Sequence, residues 1–150
     1  MKIKKASIED IGLVAPLFDL YRQFYEQLPD LASSVNFLSQ RITNNESIIF
    51  LAIDENSGSA MGFVQLYPSF SSVSMKKIWI LNDLYIHSDY RRKGIAEELI
   101  YKTKSFASET NAKGVILETH GDNKEAQHLY DKTGFIKDDE HYYYYTEVDC

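Results

Sequence analysis

Apolar residues at Ile11, Val14, Phe18, Tyr21 and Tyr25 step by three or four, which lays them along one face of a helix. Ser7, with Asp10 three residues later, reads as a capping box that opens this helix, and Pro29 interrupts it after about Gln27. A second helix is predicted over about Leu31 to Thr43, with Val35, Leu38 and Ile42 on its buried side. The period then changes. Ser47 to Ile53 is an apolar run of strand length, Glu55 to Ser59 is a turn by composition, and Ala60 to Tyr67 completes a hairpin. Pro68 to Ser72 reads as a loop, and Lys77 to His87 is the longest strand candidate. Ala96, Leu99, Ile100, Thr103 and Phe106 recur at helical spacing, Gly114 to Thr119 is a short strand, and Asn123 to Thr133 is a helix stopped by Gly134. Ile3 and its flanking lysines form an opening strand; Phe135 to Lys137 and Tyr142 to Val148 are expected to close the chain as strands.

Two helices, a meander of strands, then strand, helix, strand, helix and strand predict an α/β chain with a mixed sheet and helices on both faces. The Lys77 strand must meet the Gly114 strand through the intervening helix, a crossover that makes that pair parallel. Its 150 residues suit a single domain over 1–150. A lone cysteine, Cys150, excludes an intramolecular disulfide and a cysteine-based zinc site, and suits a reducing, cytoplasmic location. No stretch is apolar enough to span a bilayer, and Met1 to Lys5 lacks the apolar core of a signal peptide. Net charge −6 disfavours nucleic acid as a partner and suits a cationic substrate.

Against that acidic balance stands one basic turn, Tyr90-Arg91-Arg92-Lys93-Gly94-Ile95-Ala96, between the long strand and the next helix. The first N–H groups of a helix have no intrahelical partner and carry the positive end of its dipole, so they bind phosphates. Gly94 permits close approach and Ala96 keeps the following turn small. Further along, Asn123, Ala126 and Tyr130 are spaced to share one face of the short helix before Gly134.

Arg91-Arg92-Lys93-Gly94-Ile95-Ala96 resembles the acyl-coenzyme A turn of the GCN5-related N-acetyltransferases (GNAT): Arg or Gln, two residues, Gly, one residue, then Gly or Ala. The segment from Asn123 to Phe135 is similar to the family's late motif, in which Asn, Ala, Tyr and Gly-Phe recur at this spacing. Leu17 to Tyr25 and Leu66 to Ser72 resemble bacterial members similar to yeast histone- and polyamine-acetylating relatives. The resemblance covers nearly the whole chain. It implies the GNAT-type acyl-CoA N-acyltransferase fold, a mostly antiparallel sheet with one parallel pair and helices on both faces. It also implies acetyl-CoA as co-substrate, no metal, and a primary amine as acceptor: a small amine, polyamine, amino acid or protein amine. A noncatalytic acyl-CoA sensor or interaction module is the alternative.

In this family's pattern the pyrophosphate would lie on Arg91, Arg92, Lys93, Gly94, Ile95, Ala96 and Glu97. The pantetheine arm would pair with the backbone of Leu84, Tyr85 and Ile86, and Asn123, Ala126 and Tyr130 would complete the donor site. A protonated amine must lose a proton before attack, and Asp83 or Glu118 could take it, worth roughly 10² to 10⁴ in rate. Asp83 is preferred, matching an acidic position of related diamine acetyltransferases; Asn82 stands where those carry a second acid, which departs from a polyamine pattern. Tyr130 would protonate the departing thiolate. His87 and His120 follow strands and are either bases or solvated loop residues. Tyr21, Tyr25 and Tyr67 line either an amine pocket or the core. Alternation along Tyr142 to Tyr145 turns two of the four rings outward, so a homodimer is expected through that strand.

Overall fold

The computed structural model describes residues 1–149, and Cys150 lies outside them. Two compact units emerge, Met1–Glu118 and a second that begins at Thr119. Within the first unit the order is β1 (Lys2–Lys5), a 3₁₀ turn (Ile8–Asp10), α1 (Ile11–Phe24), α2 (Leu31–Thr43), β2 (Ile48–Ile53), β3 (Ala60–Ser71), β4 (Lys76–Ile86), α3 (Ile95–Glu109) and β5 (Val115–Ile116). The five strands form one sheet in sequence order. The first three pairings are antiparallel, and β4 runs parallel to β5 through the pairs Trp79↔Val115 and Ile80↔Ile116. The mixed sheet with a single parallel pair is therefore as the element order requires.

Strand alternation sorts the core into two sides. Ile49, Leu51 and Phe63 pack with Val14, Leu17 and Phe18 of α1 and Leu38 of α2. Phe50 turns the other way and meets Phe106 of α3, ring centroids 5.3 Å apart. On β4 the alternation is interrupted: Gln65 pairs with Asp83 and Leu66 with Leu81, so Asn82 is an extra residue, a β-bulge. Its effect is visible in the faces. Asp83 and Tyr85 share the side of Phe63 and α1, whereas Trp79 lies 5.1 Å from Phe106 of α3. Asp83 stands four positions after Trp79, and unbroken alternation would have put both on one face. The bulge turns Asp83 toward α1 while keeping Trp79 in the other layer.

The capping box is present: Asp10 Oδ2 accepts the Ser7 N–H at 2.8 Å. Three expectations need correction. β3 continues through Pro68 to Ser71, so the expected loop starts later. β2 ends at the register of Leu66, leaving β3 an edge strand beyond it, where a proline is admitted. β5 is two residues rather than six, and no described residue beyond Ile116 is in a strand, so the two closing strands are absent from 1–149. Between the two segments Asp138 accepts the N–H groups of Glu140 and His141 in a tight turn. Tyr142 to Tyr145 are all exposed, at 74 to 88 %. Aromatic strand propensity needs a partner edge before it yields a strand.

The second unit is built on α4 (Lys124–Lys132), capped by Asn123, whose side-chain oxygen accepts the Ala126 N–H at 3.1 Å.

Candidate active site

The register that follows from the bulge creates a polar niche in an apolar sheet. Asp83 is only 4 % exposed and Gln65, opposite it on β3, is fully buried. Gln65 donates Nε2–H to Asp83 Oδ2 at 2.6 Å, and Asn82 donates Nδ2–H to Oδ1 at 3.1 Å. The Tyr21 hydroxyl of α1 reaches the same carboxylate and lies 3.4 Å from the Asn82 carbonyl oxygen. Burial pushes the Asp83 carboxyl above the ordinary aspartate range, against the pull of these three hydrogen bonds. Tyr67 feels the same niche: burial, then the Asp83 charge, push its phenol up to about 12, with Arg41 opposing. Tyr67 therefore stays protonated at neutral pH. Around Tyr21 stand Tyr25, Phe63 and Tyr85, ring centroids 5.1, 6.1 and 6.3 Å away. Aromatic faces beside one desolvated carboxylate favour a compact cation.

Four residues past β4, after a short 3₁₀ turn over Ser88–Tyr90, the chain enters the basic turn. Arg92 at φ 62 and Gly94 at φ 79 both adopt left-handed backbone. For Arg92 this costs about 1–2 kcal/mol, and successive turns of this kind point backbone N–H groups into a concave nest. At Gly94 nothing lies within 4 Å of where a Cβ would stand, so the surface over the helix start is open. The α3 ladder opens with Glu98 N–H donated to the Gly94 carbonyl at 3.2 Å, so the N–H groups of Ile95 and Ala96 precede it. Arg91 ties turn to strand: its Nε donates to the Ile86 carbonyl at 3.0 Å, and its guanidinium stands 5.6 Å from the Tyr85 ring centre. Lys93 lies over Tyr90, and Glu97 and Glu98 add acid to the first turn of α3. Gly62 is needed for closeness, since a Cβ there would meet the Tyr85 carbonyl oxygen at 2.8 Å.

Leu84, Tyr85 and Ile86 form the end of β4, and the β4–β5 ladder stops at Ile80. Their edge away from β3 thus carries no strand among the described residues. Asp83, Leu84 to Ile86 and the turn from Arg91 to Glu97 are brought together on one end of the sheet. Glu118 is exposed, two residues past β5. His87 and His120 both serve turns, their Nδ1 atoms accepting the N–H groups of Asp89 and Asp122. In the second unit Asn123 spends its side-chain oxygen on the α4 cap, and Tyr130 packs edge-on against Phe135 at 5.6 Å. Among the described residues no group of three or more His, Cys, Asp or Glu is placed to hold a metal ion, and no helix is long and apolar enough to cross a membrane.

Sequence reasoning missed Gln65 and the part played by Asn82. A glutamine within an apolar strand run was the available signal.

A strand end, a left-handed basic turn and an open helix start occur together in many folds, so similarity to known proteins decides among them. Residues 14–135 match the acetyltransferase (GNAT) family. The chain belongs to the GNAT acetyltransferases. This acetyltransferase is 44 % identical over 138 residues to an uncharacterized N-acetyltransferase, YhfO, of Bacillus subtilis (strain 168), covering 92 % of this chain and 91 % of that one. It is 36 % identical to a probable acetyltransferase of Haemophilus influenzae, over 79 % of this chain and 80 % of the relative. Its structure is similar to the crystal structure of a probable acetyltransferase, with a TM-score of 0.94, 42 % identity and 99 % of each chain covered.

Proposed function

We propose that this acetyltransferase moves an acetyl group from acetyl-CoA to a primary amine, and that Asp83 takes the proton the amine must lose. The observation that carries the reading is the desolvated Asp83 carboxylate on β4, one residue ahead of the strand end that leads into the basic turn. The residues present suit the donor. The left-handed turn at Arg92 and Gly94 offers N–H groups to a pyrophosphate, and the edge of Leu84, Tyr85 and Ile86 offers strand-like partners to an amide-bearing arm. When bound, acetyl-CoA supplies an activated thioester.

An alkylammonium has a pKa of about 10.4, so at neutral pH it must give up a proton before its nitrogen can attack. Its N–H bond breaks as an O–H bond forms on Asp83. A carboxyl raised by burial holds that proton better than an ordinary aspartate and is the stronger base. The Tyr21, Tyr25 and Tyr85 rings orient the cation. Tyr130 is assigned the proton that the departing thiolate takes up, and Asn123 and Ala126 the space beside the arm; Glu118 is the second candidate base. Asn82, an amide where a polyamine site would hold a second acid, favours an acceptor with one ammonium group. The exposed run from Tyr142 to Tyr145 supports a homodimer, and the lone cysteine a cytoplasmic setting.

Acetyl-CoA-dependent thiol release with a panel of monoamines, polyamines, amino acids and basic peptides tests the reading. Turnover with at least one amine is expected. Tight acetyl-CoA binding with no turnover on any of them makes the protein an acyl-CoA sensor instead. Tyr130→Phe should lower turnover by about 10² at unchanged CoA affinity; an unaltered rate removes Tyr130 from the chemistry.

A further inference from the structure

Gln65 is a costly residue where it stands. It lies in the middle of β3 between Val64 and Leu66, all three fully buried. A buried amide needs partners for two donors and an acceptor, yet Gln65 Oε1 is buried with no hydrogen-bond partner among the described residues. A methionine would fill the same volume without an orphaned polar atom, so packing does not explain the amide. What the amide does is hold Asp83: the Nε2–Oδ2 contact is 2.6 Å, against 3.1 Å for the bond from Asn82.

We infer that Gln65 is the positioning residue for Asp83, fixing the orientation of its carboxylate and keeping it in the proton-accepting form inside a buried niche. This rests on Asp83 being the base for the acceptor amine. Around the carboxylate stand Tyr21 from α1, Tyr67 and Gln65 from β3 and Asn82 from β4, while Arg41 of α2 acts on Tyr67. None of the groups that hydrogen-bond Asp83 is a cation, so neutral donors carry the whole task. The orphaned acceptor completes the argument. Once the ammonium N–H bond has broken and the Asp83 O–H bond has formed, a half-turn of the Gln65 amide lets Oε1 accept that O–H. When Asp83 later releases the proton to solvent, the amide turns back. One side chain thus serves both protonation states, which methionine and leucine cannot do for either.

The test is a ¹³C-detected titration of the Asp83 carboxyl in the full chain, wild type against Gln65→Met, together with the pH profile of kcat/KM. The amide's bond to the ionised carboxylate is stronger than its bond to the neutral acid, so the midpoint of Asp83 should rise by about one unit in Gln65→Met, a tenfold gain in proton affinity, and the acid limb of the profile should move with it. An unmoved midpoint overturns the proposal. Gln65→Glu is the second variant: two opposed carboxylates share a proton, so the pair should titrate in two steps with the upper one above wild type. A single unshifted step would likewise overturn it. Asp83→Asn separates the two readings, since full activity there removes Asp83 as base while the titration of Gln65→Met still decides whether Gln65 governs its proton.

Discussion

Two aspartates of this chain expose little surface, Asp83 at 4 % and Asp10 at 8 %, yet their carboxyls move in opposite directions. For Asp10, burial would raise its proton affinity, but the Ser7 N–H at 2.8 Å, the Lys4 ammonium at 3.0 Å and the Ser7 hydroxyl at 3.2 Å together hold the carboxyl below its ordinary value. For Asp83, burial is met by two amides and a phenol, and it wins. Asp83 lies much deeper in the protein, so burial costs its charged form more, while the Ser7 N–H and the Lys4 ammonium outweigh the smaller cost at Asp10. The first carboxylate pins a helix start and stays charged. The second is left short of charge compensation beside a strand end, where a base is wanted.

The widest separation between the two should be in turnover. Asp83→Asn is expected to lower acetyl transfer by roughly 10² to 10⁴ with CoA affinity retained, whereas Asp10→Asn should leave the rate alone. Equal losses in the two variants would erase the distinction.

Stability should show the reverse order. Asp10→Asn keeps an oxygen for the cap but removes the ion pair with Lys4, costing about 0.5–1 kcal/mol in urea unfolding at neutral pH. Because the folded carboxyl lies below its unfolded value, that stability is present above the unfolded aspartate value of about 3.9 and is lost as pH falls through the folded one. The wild-type and Asn curves should therefore converge in strong acid; a gap that persists there would assign the loss to packing.

The smallest effect should be the stability of Asp83→Asn. The folded Asp83 holds its proton more tightly than the unfolded chain does, so wild-type stability declines as pH climbs from the unfolded value through the raised folded one. An amide carries no such decline. Above that window the variant should melt no lower than wild type, and a clear drop in melting temperature would mean that the ionised carboxylate stabilises the fold after all.

Much of this was legible along the chain. Helical spacing from Ile11 to Tyr21 and from Leu31 to Thr43 is local information, and so is the strand, basic turn and helix around Gly94. Asp83 was legible as a carboxylate ahead of that turn. Gln65 was not, because its meaning lies in a register pairing with a residue eighteen positions away. The bulge at Asn82 was hidden for the same reason: strand alternation predicts faces only while it is unbroken, and a single extra residue reverses it. Pro68 misled because it ends most central strands, yet here β2 has already stopped. The tyrosine run from Tyr142 to Tyr145 has the composition of a strand, and composition does not provide an edge to pair with.

Titrating both carboxyls in one ¹³C-aspartate-labelled sample tests the comparison most directly. Asp83 should titrate above the ordinary aspartate value and Asp10 below it. Coincident midpoints, or the reverse order, would contradict the account of Asp83 as a carboxylate set apart for chemistry.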